Sequence, residues 1–178
     1  MKNLLVFLMF IIPINAALPR KIGGSLIDRT CKQTPYYDVC VKTLLSNPQS
    51  YDTDEEGLAR IMVSNVEARA TQTLNHVNKW LEQPGLESNI RQALISCAHR
   101  YNAIVGEDIP QAIKGLNTER YMLAEQASYD VATEAMSCEE DFSNKSPLTY
   151  MNMRVHDISI VAASIIKTIK SGEGLANE

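Results

Sequence analysis

Four cysteines are the residues with the most obvious chemistry in this chain of 178 residues. Cys31 and Cys40 have eight residues between them, and Cys97 and Cys138 follow much later. Zinc sites use close pairs such as Cys-x2-Cys, so this spacing argues against a metal site. An even number of cysteines in an oxidising compartment favours two disulfides, and the spacing alone leaves all three possible pairings open.

The three histidines do not form a catalytic or metal-binding motif. His76, His99 and His156 stand alone in sequence of helical periodicity, and no His-Glu-x-x-His motif occurs. Gly-x-Ser-x-Gly and a phosphate-binding glycine loop are also absent. We therefore expect exposed or edge histidines, no nucleophile, no bound metal and no cofactor.

Two acidic stretches contain paired carboxylates, which an acid–base enzyme could use. They are the segments 106–110 (GEDIP) and 137–142 (SCEEDF). Glu139, Glu140 and Asp141 are consecutive on a predicted helix and so spread around its surface. We interpret them as a solvated helix face, and we expect no catalytic residue in this chain.

Residues 1–16 have the pattern of a secretory signal peptide. Lys2 precedes an apolar run from Leu4 to Ile12, Pro13 stops that run, and small residues at Ala16 and Ala17 suit cleavage. The run is too short for a spanning helix, which needs about 20 apolar residues. With 17 basic and 21 acidic residues, the chain is also a poor candidate for binding nucleic acid or an anionic membrane. The sequence predicts a secreted protein.

Hydrophobic periodicity predicts helices almost everywhere after residue 26. In the last helix Ser146 is the predicted N-cap, Pro147 the first helical residue and Gly172 the C-terminal stop. Its apolar stripe repeats at alternating steps of three and four residues. The stripe consists of Leu148, Met151, Val155, Ile158, Ala162, Ile165 and Ile169.

Three further helices are predicted before this one. The pair Thr53 and Glu56 forms a capping-box pattern at the start of a helix of roughly 28 residues, which ends at Pro84. Another begins near Ser88, and Pro110 should kink or split it. The next starts after residue 117 or 118, with a stripe of small residues typical of close helix packing. Together they predict an all-α, antiparallel up-down four-helix bundle.

The helical stripes favour one arrangement of the cysteines. Cys97 and Cys138 lie on core-facing stripes of two bundle helices, which can be antiparallel neighbours. Cys31 and Cys40 lie in an earlier segment that looks helical from Pro35, with Thr34 as its cap. We therefore predict disulfides between residues 31 and 40 and between residues 97 and 138.

These observations divide the chain into a signal peptide at 1–16, a flexible lead-in at 17–26 and one domain at 27–172. The domain has an N-terminal helical hairpin at 27–46 and the bundle at 53–171, and residues 173–178 form a tail. Asn144 begins a glycosylation sequon, Asn-Lys-Ser. Ser146 is also the predicted helix cap, and Pro147 directly follows the sequon.

Several strings of this chain resemble one family of plant proteins. They are TCKQTPYYDVCVKTLLSNPQS (30–50), GLARIMV (57–63), ISCAHRYNAIV (95–105), IPQAIKGL (109–116), CEEDF (138–142) and KSPLTYMNMRVHDIS (145–159). Together with the signal peptide and the cysteine order, they are similar to the plant invertase and pectin methylesterase inhibitor family. The resemblance covers about residues 27–169.

The resemblance implies a non-catalytic inhibitor with the same hairpin, bundle and two disulfides. In its invertase-inhibiting branch, a Pro-Lys-Phe motif early in the bundle helix that corresponds to the one after residue 117 or 118 here enters the target's substrate pocket. Tyr121, Met122 and Leu123 occupy the matching positions here, and none is identical to the motif. Arg120, one residue before, supplies a cation in place of the missing Lys, although the two side chains are not equivalent.

We therefore expect a secreted inhibitor that occludes the active-site cleft of a cell-wall or vacuolar carbohydrate enzyme, with invertase as the favoured target. A pectin methylesterase inhibitor is the first alternative, and a secreted carrier of a small apolar ligand is a more remote one. We expect a 1:1 complex of a monomer with its target, in the apoplast or the vacuole. Exchange of the hairpin between two protomers is the alternative to the monomer.

Overall fold

Seven α-helices occur in the part of the chain that this computed structural model describes, residues 21–143 and 146–176. No strand lies within those residues. The elements in chain order are α1 Lys21–Cys31, α2 Tyr37–Leu45, a 3-10 turn Pro48–Tyr51, α3 Glu55–Leu81, α4 Ser88–Ala103, a π-helical turn Ile104–Asp108, α5 Ile109–Asn117, α6 Tyr121–Glu140 and α7 Thr149–Ala176.

Contacts between the long helices establish the predicted antiparallel bundle. Cys97 of α4 is bonded to Cys138 near the end of α6, whereas Gly115 of α5 approaches Ala124 near the start of α6. The unit formed by α4 and α5 therefore runs antiparallel to α6. The all-α four-helix bundle with an N-terminal hairpin and two disulfides is confirmed.

The predicted apolar stripes form the core. Five of the seven residues of the last stripe, from Leu148 just before α7 to Ile165, are completely or almost completely buried, and Met151 and Ile169 are partly buried against them. The stripe of α6 contains mostly small side chains, including three alanines that are at most 2% exposed. Small residues let α6 approach its neighbours closely, which explains why it has the most extensive packing with α7. The buried small residues are Ala124, Ala127 and Ala135.

A polar network inside the bundle joins α4, α6 and α7. The Tyr101 hydroxyl on α4 donates to Asn152 Oδ1 on α7 at 2.9 Å, and Asn152 Nδ2 donates to Glu139 Oε2 on α6 at 2.8 Å. Burial raises the pKa of the Tyr101 phenol far above its usual range, so this hydroxyl remains a donor. The network links three helices and specifies their relative register.

The N-terminal hairpin differs in detail from its prediction. Part of the predicted lead-in at 17–26 is helical, because α1 begins at Lys21 and continues to Cys31. Thr34 does not cap the second helix: its hydroxyl donates to Cys31 O at 2.9 Å and closes the end of α1. Helix α2 begins at Tyr37, two residues after Pro35. The predicted disulfide between residues 31 and 40 joins the two helices.

Two helix boundaries differ from the prediction by one and by four residues. Asp54, and not Thr53, caps α3, because the Asp54 carboxylate accepts from Gly57 N at 2.9 Å. The predicted length of α3 is close to the observed 27 residues. At the other end of the chain, the predicted stop at Gly172 is wrong, because α7 continues to Ala176.

The start of α7 and the break at Pro110 follow the prediction more closely. The Ser146 hydroxyl accepts from Leu148 N at 3.0 Å, and the α-helix proper begins at Thr149. Pro110 does not interrupt the helical run. A π-helical turn just before it joins α4 to α5, and Pro110 lies in the first turn of α5. The signal peptide at 1–16 and Asn144 lie outside the described residues.

Candidate functional site

The predicted contact residues follow a tight turn between α5 and α6. Helix α5 ends in a Schellman motif, in which Arg120 N donates to Gly115 O at 2.8 Å and Glu119 N donates to Leu116 O at 3.5 Å. Glu119 takes the left-handed position with φ 54°. Glycine usually occupies this position, and a glutamate there raises the backbone energy. The turn is therefore sharp and contains local strain.

Close helix packing sets the direction in which this turn leaves α5. A Cβ on Gly115 would lie 2.6 Å from Ala124 N and 2.8 Å from Ala124 Cβ. No side chain larger than hydrogen fits between α5 and α6 at this point without moving the backbone. Gly115 and Ala124 thus hold the first turn of α6 against the last turn of α5.

Two side chains from α3 clamp the turn from the side. Arg60 donates to Leu116 O at 2.9 Å and to the Asn117 amide oxygen, and so completes the end of α5. Glu56 accepts from the Tyr121 hydroxyl at 3.2 Å at the start of α6. Glu56 and Arg60 also bond each other across one helical turn. Both flanks of the turn are therefore tied to the same helix.

The four predicted contact residues are brought together but are not equally accessible. Arg120 is exposed, and Met122 is 74% exposed and projects from the first turn of α6. Leu123 is half-buried. Tyr121 is only 5% exposed, so it anchors the turn in the bundle and presents little surface to a partner. Arg120 and Met122 are the side chains of this set that can enter a partner's cavity.

Arg120 is available for a partner's carboxylates. It forms no ion pair with any carboxylate in the described part of the chain. Lys170 of α7, which lies beside the turn, is instead paired with Glu125 of α6. The turn therefore presents one unpaired guanidinium and one flexible thioether on a braced support.

Sequence reasoning missed the residues that support this turn. The sequence pattern predicts a capping box for Glu56, but Asp54 caps the helix, and the Glu56 carboxylate contacts Tyr121 and Arg60. The spacing of Glu56 and Arg60 indicates an ion pair within one helix but not its contact with a distant turn. Glu119 carries no sequence signal at all, because glutamate is unusual in the left-handed conformation.

Two of the three histidines contact neighbouring side chains of the protein. His156 Nδ1 lies 2.9 Å from Asp157 Oδ1, and His76 packs on Trp80 with ring centroids 5.1 Å apart. His99 is exposed, as predicted. No group of three or more metal-ligating side chains occurs among the described residues.

The acidic stretch at 137–142 is only partly the solvated face that was predicted. Glu140 is exposed, but Glu139 accepts from Asn152, and Asp141 accepts from Arg100 Nε at 3.1 Å. These two carboxylates lie where α6 meets α7 and α4, so their contacts are with the bundle. Within the described ranges, no helix is long and apolar enough to cross a membrane.

Comparison with known proteins places this fold among inhibitors. Residues 25–165 match the family model described as plant invertase/pectin methylesterase inhibitor. The chain is 34% identical over 142 residues to cell wall / vacuolar inhibitor of fructosidase 1 of Arabidopsis thaliana, a match that covers 80% of this chain and 68% of the relative. It is 31% identical over 120 residues to inhibitor of fructosidase 2 of the same organism, covering 67% of this chain and 62% of that relative.

Solved structures agree on the fold. The crystal structure of a mutant form of a pectin methylesterase inhibitor from Arabidopsis superimposes with a TM-score of 0.69 over 77% of this chain and 92% of that one. The sequence identity is 21%, so the likeness concerns the fold.

Proposed function

Because the chain belongs to the plant invertase/pectin methylesterase inhibitor family, we propose that it is a protein inhibitor of an invertase (β-fructofuranosidase). It is an inhibitor and not an enzyme. The observation that carries the choice of invertase is the braced turn between α5 and α6, which presents Arg120 and Met122 as a protruding pair. The two relatives named as inhibitors of fructosidase support the same target.

The proposed mechanism is insertion of this turn into the active-site cleft. Glycoside hydrolases commonly use a pair of carboxylates at the reacting bond. Arg120 would approach these carboxylates, and the guanidinium can bind a carboxylate through two parallel hydrogen bonds. Met122 would fill apolar space beside them with an adaptable side chain. The substrate is then excluded without any covalent chemistry.

The bracing of the turn contributes to affinity. Ordering a flexible loop on binding opposes association, whereas a loop that is already held in shape avoids that cost. Here Glu56 and Arg60 hold the flanks, Gly115 packs on Ala124, and the disulfide between residues 97 and 138 locks α4 to α6. The inhibitor therefore presents its contact residues with little conformational freedom left to lose.

The cellular setting and assembly of the complex are part of the proposal. The predicted signal peptide and the relatives' names, which specify cell wall and vacuole, support secretion to the apoplast or delivery to the vacuole. We propose a 1:1 complex between a monomer of this chain and its target, since one protruding turn suits one cleft.

A pectin methylesterase inhibitor is the second candidate. It is favoured by Tyr121, Met122 and Leu123, which differ at every position from the Pro-Lys-Phe motif that the family resemblance links to invertase inhibition. In that case the helical faces of the bundle, and not the turn alone, would cover the target's cleft.

A paired titration separates the two candidates. The purified protein, with its disulfides formed, is titrated against an invertase and against a pectin methylesterase at acidic pH. We expect stoichiometric inhibition of the invertase, and a loss of roughly tenfold or more in affinity for Arg120→Ala. Inhibition of the esterase alone would establish the second candidate, and inhibition of neither enzyme would refute both.

Further variants distinguish residues that contact the target from residues that stabilise the turn. Lys79→Ala removes an exposed cation of α3 in the other half of the bundle, so it should leave the affinity unchanged. Met122→Ala should weaken inhibition without changing stability, because this side chain is largely exposed. Tyr121→Ala should instead lower the free energy of unfolding, because its ring is buried.

A further inference from the structure

A second polar surface lies in the other half of the bundle. A groove of about 280 Å³ runs between the C-terminal half of α3 and the first turns of α7. Arg60, which clamps the turn between α5 and α6, lies 12 residues before Gln72 of this groove, or about 18 Å along α3. The residues that line it include Arg69, Gln72, Thr73, His76, Tyr150 and Arg154.

Helical spacing places these side chains in two facing rows. On α3 the positions 69, 72, 73 and 76 share one face, and on α7 the positions 150 and 154 are one turn apart. Thr73 lies on the floor, only 1% exposed, and its hydroxyl donates to Arg69 O at 2.9 Å. The groove therefore has an ordered floor, and its walls combine polar head groups with the apolar surface of Met151 and Tyr150.

The groove carries positive charge that the protein itself does not neutralise. Arg69 donates only to the Gln72 amide oxygen, at 3.3 Å, and Arg154 is half-buried. Neither forms an ion pair with a carboxylate in the described ranges. Asp157, one turn beyond Arg154, contacts His156 instead. Two unpaired guanidiniums facing one groove are unexpected in a chain whose net charge is −4.

An aromatic ring stands at the edge of the same groove. The Tyr150 side chain is 79% exposed, the largest exposure among the large apolar side chains of the described residues. A single exposed aromatic residue needs no explanation. A ring beside two unpaired guanidiniums, an amide and an imidazole combines one flat apolar face with directional donors.

From this combination we propose that the groove binds a carboxylated oligosaccharide, a short chain of uronic acid residues. The C–H face of a pyranose ring would stack on Tyr150, and its carboxylates would receive paired hydrogen bonds from Arg69 and Arg154. Gln72 and His76 would bond the sugar hydroxyls. This site is separate from the turn between α5 and α6 and does not depend on the proposed inhibition.

The size of the groove favours a sugar over an acidic protein surface. A stable protein interface covers about 800 Å² on each partner and has a buried apolar anchor at its centre. This groove is small, near the lower limit of about 300 Å³ for small-ligand pockets, and it sets the cations of Arg69 and Arg154 beside the apolar surface of Tyr150 and Met151. Such a shape accommodates a narrow, hydroxylated, anionic chain.

The test is a calorimetric titration of the disulfide-bonded protein with an oligogalacturonate at low ionic strength. We expect saturable binding that weakens as salt is added. Arg154→Gln and Arg69→Gln should each reduce the affinity roughly tenfold, the usual effect of losing a charge-assisted hydrogen bond. Tyr150→Ala should reduce it severalfold without unfolding the protein, because this side chain is exposed.

Matched probes and variants make the result decisive. Lys79→Gln removes one exposed cation of α3 outside the groove and should change nothing. The methyl-esterified oligosaccharide should bind at least tenfold more weakly than the free acid. Equal binding of both sugars, equal loss in Lys79→Gln, or equally tight binding of an oligoglutamate peptide would overturn the proposal.

The same titration also separates this site from the proposed inhibition. Arg120→Gln should bind the oligogalacturonate as the unmodified protein does, even if it no longer inhibits. Loss of sugar binding in Arg120→Gln would overturn the assignment of the groove.

Discussion

The N-terminal hairpin region (residues 21–51) and the four-helix bundle each contain one disulfide, but they treat buried hydroxyl groups differently. In the hairpin region, the hydroxyls of Thr30, Thr43 and Ser50, residues at most 4% exposed, have no hydrogen-bond partner among the described residues, whereas the buried hydroxyl of Thr34 donates to Cys31 O. In the bundle, the buried hydroxyl of Ser128 donates to a backbone carbonyl, and that of Tyr101 donates to Asn152.

This difference indicates what holds each region. Burying a hydroxyl without a partner costs free energy, so the interior of the hairpin region depends mainly on apolar contacts and on its disulfide, and its ion pairs, such as Lys32 with Asp28, lie at the surface. The bundle adds hydrogen bonds that specify how its helices pair. The turn with Arg120 and Met122 belongs to the bundle, which is where a rigid contact surface is needed.

The largest test of this comparison removes each disulfide in turn. Replacing Cys97 and Cys138 with Ala should lower the free energy of unfolding by about 4 kcal/mol, because the closed loop is long. Replacing Cys31 and Cys40 with Ala should cost about 2.5 kcal/mol. Urea unfolding of both double variants at one pH measures the difference. An equal or larger loss for the hairpin pair would contradict the chain-entropy explanation.

A smaller and sharper test removes one hydroxyl from each region. Tyr101→Phe leaves Asn152 Oδ1 without its donor in the bundle core and should cost roughly 1–3 kcal/mol. Thr43→Val replaces an unpartnered hydroxyl with a methyl group and should be neutral or stabilise by up to about 1 kcal/mol. Both are measured by urea unfolding. If both variants lost similar stability, the hydroxyls of the two regions would not differ as the structure indicates.

The bundle could be predicted from the sequence because its signals are repeated. The stripe from Leu148 to Ile169 offers seven independent indications of one buried face, and errors at single positions do not change it. The cysteines were assigned correctly because Cys97 and Cys138 fall on such stripes.

Details that depend on one residue or on a tertiary contact could not be predicted. Thr53 and Asp54 are both good caps, and local sequence does not choose between them. The burial of Tyr121 depends on the approach of Gly115 to Ala124 and on Glu56, which is 65 residues away in sequence. For that reason Tyr121 was expected to contact the target, whereas the structure buries it.

The bundle also contains an unfavourable backbone conformation, that of Glu119 in the turn between α5 and α6. Removing it tests how much stability the bundle loses at this turn. Glu119→Gly should stabilise the protein by up to about 1 kcal/mol, because glycine adopts the left-handed conformation without steric cost. Gly85→Ala is the reverse control: Gly85 has φ 80°, so alanine there should destabilise by a similar amount. Thermal unfolding measures both. A loss of stability in Glu119→Gly would mean that the glutamate side chain contributes more than its backbone costs.

The smallest expected effect concerns a carboxyl group of the bundle that is partly withdrawn from water. Burial, and after it the negative charges of Asp130, Glu134 and Glu107, raise the pKa of Asp108 to about 6. Arg100, the cation that contacts Glu134, is shared with a second carboxylate, that of Asp141. A pKa that is higher in the folded than in the unfolded chain favours folding at low pH.

That stabilisation should be present below about pH 4 and be lost as the pH rises through 6. Asp108→Asn should therefore raise the free energy of unfolding at pH 7 and have little effect at pH 4. Because Asp108 is only half-buried, solvent screening keeps the gain small. Glu140→Gln, the same charge change at an exposed position of α6, is the control for net charge. An equal gain from Asp108→Asn at both pH values would show that the carboxylate is not destabilised by its surroundings.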